Sequence, residues 1–237
     1  MDMQINTDRI KNKKFPKAIN SSDIKHSQEY RVLATLRYLF PEKFKKMIKG
    51  DAPDLQDIES GIGIEVTAAV KEEDMRVARA LADLQQGEEK DIGIFKKKIE
   101  SFGYSVVMNE AGRSSVSTTG TGDGEKFYFK ESIRRKIKKI PKYRKKFMKI
   151  GLAVFLPETP TDYAEDNFSE WISEVLKESN CWFDFFYVIS ERFCIYYDYQ
   201  EGGQEKQTFT KEEKRLLSTI ARMTAEGELS LTDLEWM

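Results

Sequence analysis

One histidine, His26, stands in a chain of 237 residues, and that scarcity narrows the chemistry first. It excludes multi-histidine metal sites and argues against acid–base schemes built on imidazole. Cysteine is almost as scarce. Cys181 and Cys194 fall in strand-like segments without the paired spacing of a zinc site, so they read as buried, reduced thiols rather than a disulfide. No run approaches the ~18 apolar residues that a spanning helix needs, and the N-terminal MDMQINTDRIKNKKFPK carries no apolar signal core. A cytoplasmic protein without membrane contact is expected. Charge of one sign is lacking too: 39 Lys and Arg against 40 Asp and Glu give a formal net charge of −1. No global field draws the chain to nucleic acid, and any such affinity has to come from local clustering. If the chain is an enzyme, carboxylates and lysines carry the chemistry.

What is present suits a folded domain. Hydrophobic residues make up 40% of the chain and charged residues 33%, which describes a globular core under a heavily ionised surface. The length fits one large domain with an insertion. Residues 1–20 are polar and basic with Pro16 and read as an N-terminal arm, leaving 21–237 as the domain.

Ser22 can cap a helix running to about Phe40, with Tyr30, Leu33, Leu36 and Phe40 at helical spacing. Pro41 marks a kink or restart, and EKFKKMIKG adds a turn or two closed by Gly50. PDLQDIESGIGIEVT reads as a hairpin turning at Glu59-Ser60-Gly61. Two helices follow, in KEEDMRVARALADLQQGEEK and IFKKKIESFG, then a short strand in YSVVMNE. Ala111 to Lys126, AGRSSVSTTGTGDGEK, is expected to be a flexible loop. Its Gly120, Gly122 and Gly124 imitate a phosphate cradle, but Glu125 separates them from Lys126 and no Ser or Thr follows.

Phe127 to Phe147 forms a basic helix with an apolar stripe at Phe129, Ile133, Ile137 and Ile140, bent or split by Pro141. IGLAVFLPE reads as a fully buried strand, DNFSEWISEVLKES as a helix, and WFDFFYVISERFCIYYDY as two strands about Ser190-Glu191-Arg192. Thr210 and Glu213 form a capping box ahead of a last amphipathic helix. The expected fold is α/β, a mixed sheet flanked by helices.

In the hairpin, strand alternation sends Ile62, Ile64 and Val66 to one face and Gly63, Glu65 and Thr67 to the other, so Glu65 avoids the oily layer and faces the side on which a small Gly63 leaves room. Pairing brings Asp54 onto the neighbouring strand, ~4.8 Å away. Two anions at ~4 Å repel by about 4 kcal/mol at an effective dielectric near 20, so the pair needs a cation or a shared proton. Magnesium suits that need, because it often binds through one or two carboxylates plus water and substrate phosphate oxygens.

Pro53-Asp54 followed by Ile64-Glu65-Val66-Thr67 resembles the PD-(D/E)xK, restriction-endonuclease-like nuclease superfamily. The resemblance implies a core of one helix, a small mixed sheet bearing the motif, a second helix and a further strand. It also implies hydrolysis of phosphodiester bonds, with DNA favoured as substrate, and possible work as a homodimer. Asp54 and Glu65 become ligands of Mg2+ or Mn2+, and Glu29 matches an extra acid on the preceding helix. The core then spans about Glu29 to Glu158, and residues 70–125 become an insertion with the loop 111–126.

Thr67 stands where the motif has lysine; it is neutral and supplies no charge to orient water or oppose charge developing on phosphate. A replacement cation is sought at Lys71, Lys136 or Lys139. The family's first strand is not evident between Phe40 and Asp54.

Around this motif, Arg134, Arg135, Lys138, Lys139, Lys142, Arg144 and Lys145 crowd one stretch and form a candidate nucleic-acid-binding surface, against the plainer reading of a solvated helix face. Two rivals to the nuclease stay open. One is a non-catalytic nucleic-acid-binding or regulatory protein that keeps the fold; the other is a protein-interaction module. The metal reading requires both carboxylates on one side of the sheet with no lysine or arginine filling the space between them.

Overall fold

Seven strands form one mixed sheet in the computed structural model, which describes residues 10, 13–15, 17, 19–86, 89–101, 104–108, 114–117, 123–157, 159–199 and 202–234. Helices α1 (Ile24–Leu39) and α2 (Pro41–Phe44) lead into β1 (Ile48–Lys49), β2 (Leu55–Asp57) and β3 (Ile62–Ala68). An inserted unit follows: α3 (Glu72–Gln86), α4 (Glu89–Glu100), β4 (Ser105–Met108) and β5 (Ser114–Ser117). The chain then returns through α5 (Asp123–Ile137) and α6 (Ile140–Tyr143) to β6 (Lys149–Phe155). Helix α7 (Asp162–Lys177), strands β7 (Phe185–Ile189), β8 (Phe193–Asp198) and β9 (Gly203–Thr208), and helix α8 (Lys211–Ala225) complete it.

The sheet order is β1-β2-β3-β6-β7-β8-β9. Both edges are antiparallel, while β3, β6 and β7 run parallel at the centre. Parallel neighbours need helical crossovers, which the α5–α6 segment and α7 supply. Each face carries its own core. Val32, Leu33 and Leu36 of α1 and Leu217 and Ile220 of α8 pack on Ile64, Val66 and Tyr187. On the other face, Phe129 and Ile133 of α5 and Phe168 and Trp171 of α7 cover Leu152, Val154 and Phe186. Strand β6 is apolar throughout its middle because it is covered on both sides. The insertion has a small core of its own in Val77, Ala80, Leu84 and Ile99.

Several expectations are corrected. EKFKKMIKG does not stay helical: α2 ends at Phe44, and Ile48–Lys49 forms a strand, two residues long, beside β2. In its described parts the N-terminal arm lies against the domain, where Ile10 is buried in the core, Lys13 pairs with Glu228, and the Lys17 carbonyl accepts from Arg222. Within the expected loop at Ala111 to Lys126, Ser114–Ser117 pairs with β4 and α5 begins at Asp123; residues 111–113 and 118–122 lie outside the described residues. Cys181 sits outside any strand and is half-buried, while Cys194 lies buried on β8. Strand β9, exposed at every position and polar, had no apolar alternation to announce it. Among the described residues no helix is long and apolar enough to cross a membrane.

Candidate active site

The β2–β3 hairpin sets Asp54 beside Glu65. Leu55 pairs with Ile64 as the last pair of the ladder, and Asp54 precedes it just outside the strand, near enough to Glu65 for that charge to act on its carboxyl. The ladder stops there, since the Pro53 carbonyl is taken by the Gln56 side chain at 2.9 Å. The Val66 N–H that would have met it donates instead to Asp54 Oδ2 at 2.8 Å. That bond fixes the carboxylate against β3 and leaves Asp54 Oδ1 with no hydrogen bond among the described residues.

Glu65 is fully buried on the face covered by α5 and α6. Its Oε1 accepts from Lys136 at 2.5 Å and Lys139 at 2.6 Å, and its Oε2 accepts from the Tyr143 hydroxyl at 2.6 Å. Lys136 comes from the last turn of α5, Lys139 from the turn that follows and Tyr143 from α6, so the bend between the two helices delivers all three groups. Gly63, on the same face of β3, does not leave open room. A Cβ there would meet Pro53 Cγ at 2.6 Å and Phe147 Cγ at 3.2 Å, so the glycine serves close packing.

The electrostatics divide the two acids. Burial pushes the Asp54 carboxyl above its usual range, and the charge of Glu65 adds to the rise against the Val66 N–H and Lys136. Burial would raise Glu65 too, but Lys136, Lys139 and Tyr143 outweigh it and hold Glu65 below its usual value. The Tyr143 phenol is raised by burial and by the bond to Glu65. Among the described residues no lysine or arginine makes an ion pair with Asp54; both ammonium groups bond to Glu65, and Lys136 lies near enough to Asp54 for its charge to lower that carboxyl.

Glu29, buried on α1, is placed near enough to Asp54 for its charge to raise that carboxyl slightly. Burial of Glu29 is outweighed by Lys49 at 3.0 Å, His26 at 3.3 Å and Lys25 at 3.2 Å, which hold its own carboxyl below the usual range. Thr67 is buried at the end of β3 and lines a cavity of about 330 Å³, whose walls also include Glu29, Arg79, Arg135, Lys136 and Lys139. Asp54 and Glu65 are not on its wall; Lys136 links them to it by reaching both the cavity and Glu65.

Other sequence candidates divide clearly. Lys71 points to Glu73 at 3.7 Å and is half-exposed, whereas Lys136 and Lys139 meet the motif acid. In the basic stretch, Arg134 is committed to Glu178 through bonds of 2.8 to 3.1 Å, and Arg144 to Asp184 at 2.7 Å. Arg135, Lys138, Lys142 and Lys145 are exposed and without an ion-pair partner among the described residues. Sequence reasoning missed Arg79, which lies on the inserted helix and carried no motif, and the bond from Tyr143, which lies beyond the break between α5 and α6.

Comparison with family models, with curated proteins and with solved structures finds no match to this chain.

Proposed function

We propose that the protein is a magnesium-dependent nuclease, hydrolysing phosphodiester bonds of nucleic acid in the cytoplasm, with DNA favoured. The observation that carries the reading is the closeness of Asp54 to Glu65 at the β2–β3 hairpin, where Asp54 Oδ2 is bonded to the Val66 N–H of β3 and burial and the Glu65 charge push the Asp54 carboxyl up. The chain order α1, β1, β2, β3, α5, β6 supports a restriction-endonuclease-like core, with α3 to β5 as the insertion.

The donor set fits a hard divalent cation. Asp54 Oδ1 takes no hydrogen bond among the described residues, a cation there would relieve the repulsion between the acids, and both ligands are oxygen. Among the described residues no cluster of three or more His, Cys, Asp and Glu side chains is present, so two carboxylates with water and phosphate oxygens would complete the shell. Asp54 and Glu65 would hold the ion and Glu29 would assist through water. Such an ion polarises phosphate and lowers the pKa of bound water.

Lys136 or Lys139 takes the part of the missing motif lysine. Their ammonium groups already reach the motif glutamate and border the cavity, where they can oppose charge developing on a phosphate. Tyr143 holds the second oxygen of Glu65 and so fixes the carboxylate's orientation. Arg135, Lys138, Lys142 and Lys145 grip the backbone by non-specific phosphate contacts.

The second reading, a nucleic-acid-binding or regulatory protein without catalysis, is favoured by one observation: both Glu65 oxygens are already satisfied by protein groups. The test is cleavage of single- and double-stranded DNA and RNA in Mg2+ or Mn2+. Activity abolished in both Asp54→Asn and Glu65→Gln upholds the nuclease; salt-sensitive retention of DNA without any cleavage upholds the alternative.

A further inference from the structure

The cavity at the C-terminal end of β3 has two kinds of wall. Val66, Val70, Met75 and Phe155 make one side apolar. Arg79 from the insertion and Arg135 from α5 line it with guanidinium groups, and neither has an ion-pair partner among the described residues. Its two acids are already engaged, Glu29 by Lys25 and Lys49, and Glu72 by Arg76 at 2.6 Å. The uncommitted charge is therefore cationic and comes from two separate parts of the chain.

An apolar surface beside unpaired guanidinium groups matches a ligand with a flat apolar part and an anionic part. Guanidinium forks suit phosphate oxygens in particular. A space of about 330 Å³ falls at the small end of the ~300–1,000 Å³ range of pockets that take one compact ligand. Its lining comes from α1, the inserted α3 and α5, and a space of this size is far smaller than a duplex cross-section and comparable with a single nucleotide.

We infer that this cavity takes one nucleotide unit of a single strand, with its phosphate between Arg79 and Arg135 and its base against Met75 and Phe155. The inference deepens the nuclease reading and rests on it for the purpose of the site, but not for the binding itself. The insertion thereby acquires a role: it converts an open sheet end into a slot that selects an unpaired strand, a terminus or an extruded base over continuous duplex.

The test is fluorescence anisotropy in EDTA, so that no cleavage occurs. The probes are a fluorescein-labelled 15-nucleotide single strand, the same sequence as a blunt duplex, and thymidine 5′-monophosphate as competitor. The single strand is expected to bind at least about tenfold tighter than the duplex. Arg79→Ala and Arg135→Ala are each expected to weaken it several-fold and to reduce the salt slope by about one. Both residues are exposed, and unchanged circular dichroism verifies folding.

Equal affinity for duplex, or indifference to Arg79→Ala, overturns the inference. So does displacement by the mononucleotide at an affinity equal to the strand's, which assigns the cavity to free nucleotides. Arg79-dependent binding without cleavage in Mg2+ leaves the slot standing and removes only the nuclease. Cleavage that needs Asp54 but ignores Arg79 does the reverse.

Discussion

Asp54→Asn and Glu65→Gln are near-isosteric changes at adjacent positions, yet they are predicted to move stability in opposite directions. Asparagine keeps an oxygen for the Val66 N–H and removes a charge that burial and Glu65 disfavour. Like charges ~5 Å apart repel by about 3 kcal/mol at an effective dielectric near 20, and attraction to Lys136 cancels much of that, leaving a gain of about 1 kcal/mol. For a chain of this size that raises Tm by about 2–4 °C.

Glutamine at 65 leaves two ammonium groups without their anion. Removing one member of a buried pair costs about 3–5 kcal/mol. Here the Lys136 and Lys139 side chains, 19% and 47% exposed, retain a route to water, so the loss is set at about 2 kcal/mol, or about 4–8 °C.

The pH dependence separates the causes. The Asp54 carboxyl is raised, so its ionisation cost is present above that raised value, and the advantage of asparagine disappears as pH falls through it. The Glu65 carboxyl is lowered, so its stabilisation is full above the ordinary glutamate value and is lost only as pH falls through the lower folded one. Thermal unfolding by circular dichroism between pH 8 and pH 4 therefore shows the Asp54→Asn gain fading first while the Glu65→Gln loss persists. A loss of several degrees in Asp54→Asn at pH 8, or a gain that does not change with pH, refutes the assignment of like-charge strain to this pair.

Three further outcomes follow from the same geometry. If Lys136 stands in for the motif lysine, Lys136→Ala cuts the cleavage rate by about 10²-fold or more, and Thr67→Lys in that background restores part of it in a single-turnover assay. Arg144→Ala removes an ion-pair partner of Asp184, a carboxylate that also accepts from the Ile150 N–H at 2.6 Å, and so lowers stability by about 1–3 kcal/mol in urea titrations with little change in the salt slope of DNA binding; Lys142→Ala, at an exposed site, does the opposite. Gly151→Ala would drive a Cβ into the Phe185 ring, and the overpacking lowers stability by about 1–3 kcal/mol, read by the same titration.

The parts of the fold legible in the sequence are those where burial and local chemistry agree. The apolar run of β6, the stripe of Phe129, Ile133, Ile137 and Ile140, and the Thr210–Glu213 capping box all lie where their patterns place them. The first strand was hidden because Ile48–Lys49 is only two residues long and owes its pairing to β2 rather than to its own propensity. At the site, the hairpin itself and the placing of Glu65 on the face opposite Ile64 and Val66 were readable from the turn residues and from period-two alternation. The allocation of the basic residues was not, because a run of like charges does not reveal that Lys136 and Lys139 turn inward to a buried acid while Arg134 and Arg144 are spent on Glu178 and Asp184.

Whether these two carboxylates share an ion is decided most directly by a crystal structure of the protein soaked in Mn2+, read by anomalous scattering at the manganese edge. The account predicts a single peak within about 2.3 Å of an oxygen from Asp54 and one from Glu65, with Lys136 or Lys139 moved off Oε1. Crystals that take up no manganese there, with both lysines still bonded to Glu65, would contradict it.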